Sequence, residues 1–177
     1  MAEMKGIFQS LSRIDHSPSR VLGSAHEALV GTIDKHSFIS LIYGVLDLRT
    51  GTMTVARAGH CPMLFRSGGK TRYIKPTGLG LGMGTNAFFR KTIAEETIRF
   101  SPGDCAVFYT DGVTEARPKD GEEFGYEKLE AVVQSADVTS ALGMRDAIVM
   151  AVDRHMQHEP PEDDLTLVVI RWTGSTT

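Results

Sequence analysis

The chain has 177 residues, 41% hydrophobic and 23% charged, the make-up of one globular domain with a substantial core and not of a disordered segment. A net charge of −3 with no Lys/Arg-rich run argues against a nucleic-acid or polybasic membrane surface. No apolar stretch approaches the ~20 residues of a spanning helix and the N-terminus lacks a signal-peptide pattern, so a cytoplasmic protein without a membrane segment is expected.

Met4, Ile7, Phe8 and Leu11 recur at helical spacing within Ala2 to Arg13 and predict an amphipathic helix. It lacks a start signal, which leads us to expect that the natural chain continues upstream of Met1. A second helix is better marked: Ser17 as N-cap, Pro18 at the first helical position, Val21, Leu22, Ala25, Ala28 and Leu29 on one face, and Gly31 at its end. From Phe38 the period changes to that of strands. Phe38 to Leu46 and Thr52 to Ala58 flank a loop closed by Gly51, and Pro62 to Arg66 and Thr71 to Ile74 flank Ser67-Gly68-Gly69-Lys70.

Pro76 to Gly84 carries too many glycines for a helix and reads as a loop running close to other backbone. Its Gly-x-Gly-x-Gly spacing lacks a following Lys-Ser/Thr and a following helical pattern, so it does not predict a nucleotide cradle. Phe88 to Phe100 mixes polar and apolar residues and reads as a half-exposed strand. The turn Ser101-Pro102-Gly103-Asp104 then leads into the apolar run Cys105 to Tyr109, a buried strand. Beyond a polar loop, Arg117 to Phe124, two more helices are marked by Tyr126, Leu129, Val132 and Val133, and by Met144, Ala147, Ile148, Ala151, Val152 and His155. Leu165 to Ile170 closes the chain as another buried strand. Helices, then many antiparallel strands, then helices and a strand make an α+β order and not a βαβ alternation. Cys61 and Cys105 lack a Cys-x-x-Cys spacing and read as reduced residues.

Two acidic stretches carry the chemistry. Asp111 follows the Cys105 to Tyr109 strand, and Gly112 lets the backbone turn away and approach a ligand closely. By itself this also reads as an ordinary Asp-Gly turn. Glu162-Asp163-Asp164 stands at the head of the last strand, so antiparallel pairing of the two strands would bring Asp111 and Asp163 to one sheet edge. Carboxylates that close repel one another, and a hard divalent cation would relieve the repulsion. Glu115 reads either as a carboxylate that orients a metal-bound water or as a loop charge. His60 reads either as an aid to phosphate binding or as a turn histidine with satisfied hydrogen bonds.

Six motifs in order, Tyr43-Gly44-Val45-Leu46-Asp47 with Thr50-Gly51, Ala58-Gly59-His60-Cys61-Pro62, Pro102-Gly103-Asp104, Tyr109 through Ala116, Gly121-Glu122 with Phe124-Gly125, and Asp163 through Leu167, resemble the PP2C-like (PPM) serine/threonine phosphatases of the bacterial SpoIIE/RsbU branch. The resemblance runs over nearly the whole chain. It implies an α/β/β/α sandwich of two antiparallel sheets holding a pair of Mn²⁺ or Mg²⁺ ions, with Asp111 and Asp163 as catalytic metal ligands, Asp164 beside them, and Gly112, Glu115 and His60 in support. In such a site a water bridges the two metals, and its lowered pKa makes it the nucleophile. The family's first acidic motif is expected just upstream of the helix that here begins at Met1. None of the earlier acidic residues stands in its context. The chain is therefore expected to be a single domain over residues 1–177 that lacks its front strands, with an under-coordinated and impaired metal site.

The resemblance further implies a phosphorylated anti-sigma-factor antagonist as substrate, an upstream sensory domain, and a role in stress or sporulation signalling. Sheet edges left open by missing strands predict a homo-oligomer. The competing reading is a catalytically inactive, pseudophosphatase-like interaction module. Asp-Gly-Val-Thr also superficially resembles the aspartate loop of haloacid-dehalogenase-type phosphatases. That class needs a nucleophilic Asp where this chain has Tyr109, together with alternating βαβ units.

Overall fold

The computed structural model describes residues 2–34, 37–136, 139–161 and 163–174; Glu162 of the second acidic stretch and Met1 lie outside them. The chain packs as two compact units, residues 1–62 with 75–99, and residues 63–74 with 100–177.

The first unit opens with α1 (Ala2–Leu11) and α2 (Pro18–Leu29). Ser17 caps α2 by accepting from the Arg20 N–H at 3.4 Å, and Pro18 occupies the first turn, where its missing N–H costs nothing. The helix ends at Leu29, with Gly31 beyond it at φ 95°. The strands β1 (Leu41–Asp47), β2 (Thr52–Ala58) and β5 (Glu95–Arg99) form an antiparallel sheet in the order β1-β2-β5. Asp47 shapes the β1–β2 hairpin by accepting from the Arg49 N–H at 2.8 Å, and these backbone and hydroxyl bonds hold its carboxyl below the usual range. Leu22, Ala25 and Leu29 of α2 are buried with Ala56 and Ala58 of β2, Leu81 and Phe89.

Two expectations fail here. Phe88 to Phe100 is not one strand: α3 (Asn86–Thr92) precedes β5, so a helix does follow the glycine-rich loop. Thr85 caps it, accepting from the Phe88 N–H at 3.3 Å. The helix buries Phe89 while Phe88 stays 53% exposed, which leaves no apolar stripe for periodicity to detect. The glycine-rich loop does pass close to other backbone. At Gly78 a Cβ would strike the Arg57 carbonyl oxygen.

In the second unit, β3 (Met63–Ser67), β4 (Lys70–Ile74), β6 (Cys105–Tyr109) and β7 (Leu167–Arg171) form an antiparallel sheet in the order β4-β3-β6-β7. The one-turn α4 (Asp111–Thr114), unexpected from the sequence, follows β6; α5 (Gly125–Ser135) and α6 (Ala141–His155) come later. Helix α5 packs on β3, β4 and α6, and α6 packs on β7. Leu64, Val107, Leu129, Val133, Met144 and Ile148 are buried. The last strand starts at Leu167 and not at Leu165, which is 42% exposed, because the backbone of residues 164–166 is taken up by Thr110. Tyr126 is 45% exposed despite its place in the apolar pattern of α5. Cys105 is a buried free thiol, and Cys61 is half-buried.

Candidate functional site

Strand β6 is held on both sides by antiparallel ladders, with Leu64 opposite Val107 on β3 and Leu167 opposite Tyr109 on β7. A carboxylate placed just past its end inherits that rigidity. Thr110 extends the junction: its N–H donates to the Thr166 carbonyl at 3.1 Å, and its hydroxyl donates to the Asp164 carbonyl at 3.0 Å while accepting from the Thr166 N–H at 2.9 Å. The hydroxyl thus replaces the partner that a straight ladder would have supplied.

Asp111 opens α4. Its carbonyl accepts from the Glu115 N–H at 2.8 Å and from the Thr114 hydroxyl at 3.2 Å, and its Oδ1 accepts from the Gly112 N–H at 3.1 Å. On the facing segment Asp163 folds the same way, its Oδ1 accepting from the Asp164 N–H at 2.7 Å. A Cβ on Gly112 would lie 2.7 Å from the Asp164 carbonyl oxygen and 3.6 Å from that of Asp163, so the two backbones meet with no room for a side chain. The Asp111 turn and the Asp163-Asp164 turn therefore share one edge of the sheet, with all three carboxylates exposed. Glu115 and Asp163 line a cleft with Gly112, Arg117 and Glu123. Three carboxylates against one guanidinium leave it with an excess of negative charge.

The donors at this edge are hard oxygens, the chemistry a divalent cation prefers. Their number falls short: among the described residues no three His, Cys, Asp or Glu side chains converge on a point where an ion could be held. These residues fit such an ion in kind and supply only part of its shell.

His60 belongs to the first unit, in the turn after β2. Its Nδ1 accepts from the Cys61 N–H at 2.8 Å, and its carbonyl accepts from the Arg57 guanidinium at 2.6 Å, the geometry of a turn histidine. Thr110, Arg117 and Glu123 belong to the acidic edge, yet the sequence alone gave them no role. Thr110 stands inside the Tyr-Thr-Asp-Gly motif, whereas Arg117 and Glu123 lie in a polar loop without periodicity.

Two antiparallel sheets with helices, in these strand orders, make the α+β fold of PP2C-type phosphatase domains. The structure of the SpoIIE phosphatase domain from Bacillus subtilis (Mn presoaked) matches with a TM-score of 0.68 at 16% identity, over 100% of this chain and 76% of that one. The chain belongs to the SpoIIE family, whose model, Stage II sporulation protein E (SpoIIE), matches residues 1–173. Among curated relatives, Protein IcfG of Synechocystis sp. is 31% identical over 138 residues, covering 77% of this chain and 21% of that protein. Phosphoserine phosphatase RsbU of Bacillus subtilis is 26% identical over 174 residues, covering 97% of this chain and 50% of that protein. The chain thus spans about a fifth and about half of these relatives' lengths. Among the described residues no helix is long and apolar enough to cross a membrane.

Proposed function

We propose that this chain is the phosphatase domain of a bacterial signalling protein, hydrolysing phosphoserine or phosphothreonine on a protein partner with the help of Mn²⁺ or Mg²⁺. The observation that carries this reading is the close approach of Gly112 to Asp164. It brings two acidic turns from distant parts of the sequence to one strand end in a chain of the SpoIIE family. Asp111 and Asp163 are the metal ligands in this reading, Asp164 and Glu115 assist, and Gly112 allows the approach. The name of RsbU speaks of a phosphoserine phosphatase, and a SpoIIE domain has been presoaked with Mn; both support the choice of reaction and ion. In this reading the substrate is a phosphorylated anti-sigma-factor antagonist in stress or sporulation control, and a sensory domain belongs to the full protein.

A second reading, a pseudophosphatase-like binding module, draws on the incomplete donor set. Hydrolysis of p-nitrophenyl phosphate with titrated Mn²⁺ separates the two. The phosphatase reading expects weak turnover that EDTA removes and that Asp111→Asn lowers at least ~100-fold, as loss of electrostatic stabilisation at a reacting centre does. Absence of turnover at every Mn²⁺ concentration, with the fold intact, would favour the binding module.

A further inference from the structure

Beside the acidic cleft lies an apolar cavity of about 190 Å³, walled by Val113, Ile148, Val152, Met156, Leu165 and Leu167. At the ~30 Å³ that a water molecule occupies in the liquid, this is the space of about six waters, enough for one large side chain. Val149 and Leu165, both of which line it, are 52% and 42% exposed, so the cavity is open to solvent. Asp153 and Glu159 are its charged lining residues. The loop from Met156 to Pro161 forms one wall and contains Gln157 and His158 at φ 55° and 65°, two consecutive left-handed residues that are not glycine. Such backbone is costly for L-residues, and it persists where surrounding bonds enforce it. Here His158 is tied to Asp153 by its ring, 2.6 Å from Nδ1 to Oδ2, and by its N–H to the Asp153 carbonyl at 3.1 Å. Local bonds thus fix this stretch of the wall, where Glu159 Oε2 also accepts from the Lys119 N–H at 3.0 Å.

Pro161 lines both this cavity and the acidic cleft, and Val113 of the cavity follows Gly112 of the cleft. The cleft lined by Glu115, Glu123 and Asp163 has its excess of negative charge offset only when a cation is bound, whereas the apolar cavity next to it offers the substrate contacts that do not depend on that cation. We propose that the cavity is the docking site for the phosphoprotein substrate of the reaction proposed above. It takes one bulky apolar side chain whose neighbour is Lys or Arg. The apolar side chain fills the cavity, and the cation meets Asp153 and Glu159. The cavity then adds specificity for the residues flanking the phosphoserine.

Fluorescein-labelled, Ala-based phosphoserine peptides carrying Leu-Lys on either side of the phosphoserine test this by anisotropy in EDTA, where no metal-dependent step intervenes. The Leu-Lys peptide is expected to bind at least tenfold tighter than its Ala-Lys and Leu-Glu counterparts. Val149→Asp, a change at an exposed position, is expected to erase that advantage while the melting temperature and p-nitrophenyl phosphate turnover stay as they were. Glu159→Gln, which leaves the Asp153–His158 tie in place, is expected to weaken the preference for Lys over Glu and keep that for Leu over Ala. Equal binding of all peptides, or a preference that survives Val149→Asp, would overturn the proposal. So would self-association that Val149→Asp abolishes, which would make a second copy the occupant. Failure to hydrolyse p-nitrophenyl phosphate would count against the phosphatase reading alone, because the binding measurement does not depend on it.

Discussion

His26 is fully buried in the first unit, its ring stacked 4.1 Å from that of Phe89. Its Nδ1 accepts from the Gly82 N–H at 3.1 Å, which puts the ring proton on Nε2, an atom with no hydrogen-bond partner among the described residues. Burial holds its pKa below the ordinary 6.5; Glu27 pulls upward and Arg90 downward, two groups joined at 2.6 Å. The unfolded chain therefore takes up a proton near pH 6.5 that the folded chain refuses, and stability rises with pH wherever the unfolded state binds more protons. The contribution is whole above pH 6.5 and declines as the pH falls through that value, by at most about 1.4 kcal/mol per pH unit for one proton. Protonation would also take away the acceptor of the Gly82 N–H and free the glycine-rich loop. Denaturant melts between pH 8 and 5 should show a steeper acid decline in the wild type than in His26→Gln. Parallel curves would mean that His26 is not the group responsible.

At the scale of elements, the junction of β6, α4 and the segment before β7 depends on one missing side chain. Gly112→Ala would drive a methyl group into the Asp164 carbonyl, and both neighbours are backbone that cannot rotate aside. A cost of about 1–3 kcal/mol is expected, as for other overpacked sites, together with loss of any Mn²⁺-induced rise in melting temperature. A variant as stable as the wild type, with the same response to Mn²⁺, would show that the two turns are not interlocked. This junction was half legible in the sequence. Cys105 to Tyr109 announced a buried strand because its residues are β-branched, aromatic or small and bounded by Pro102-Gly103, and Asp111 stood visibly at its end. The return of Asp163 to the same edge followed once the last apolar run was paired with it. What stayed hidden lacked periodicity. Helix α3 buries a single phenylalanine, α4 is one turn long, and Thr110 acts through its hydroxyl, which no hydrophobic pattern registers. The apolar cavity was equally silent, since Val149 and Leu165 look like ordinary members of a helix and a strand.

For the molecule as a whole, the question is what happens at the rims of the sheets. Among the described residues strand β1 stands at one end of the order β1-β2-β5, bridged besides β2 at Leu41 to Gly59, and its seven residues are each half-buried or exposed. It carries neither lysine nor proline, the residues that usually blunt an edge. Its outer hydrogen-bonding groups are thus suited to receive another strand, and a second copy at micromolar concentration is the partner always present. Gly44, exposed in the middle of β1, offers a way to test this without harming the fold. The nearest atoms to a Cβ there belong to the Val55 and Met53 side chains, at 3.6 Å and beyond, an ordinary contact. We expect the wild type to sediment as a dimer or larger species and Gly44→Lys to sediment as a monomer of similar melting temperature, because like charges on two paired edges repel. A wild type that is monomeric at every concentration up to ~100 μM would remove the edge from consideration, since association weaker than about 5 kcal/mol escapes detection there. A dimer that persists in Gly44→Lys would move the contact away from β1, with the β7 edge and its neighbouring cavity as the next surface to alter.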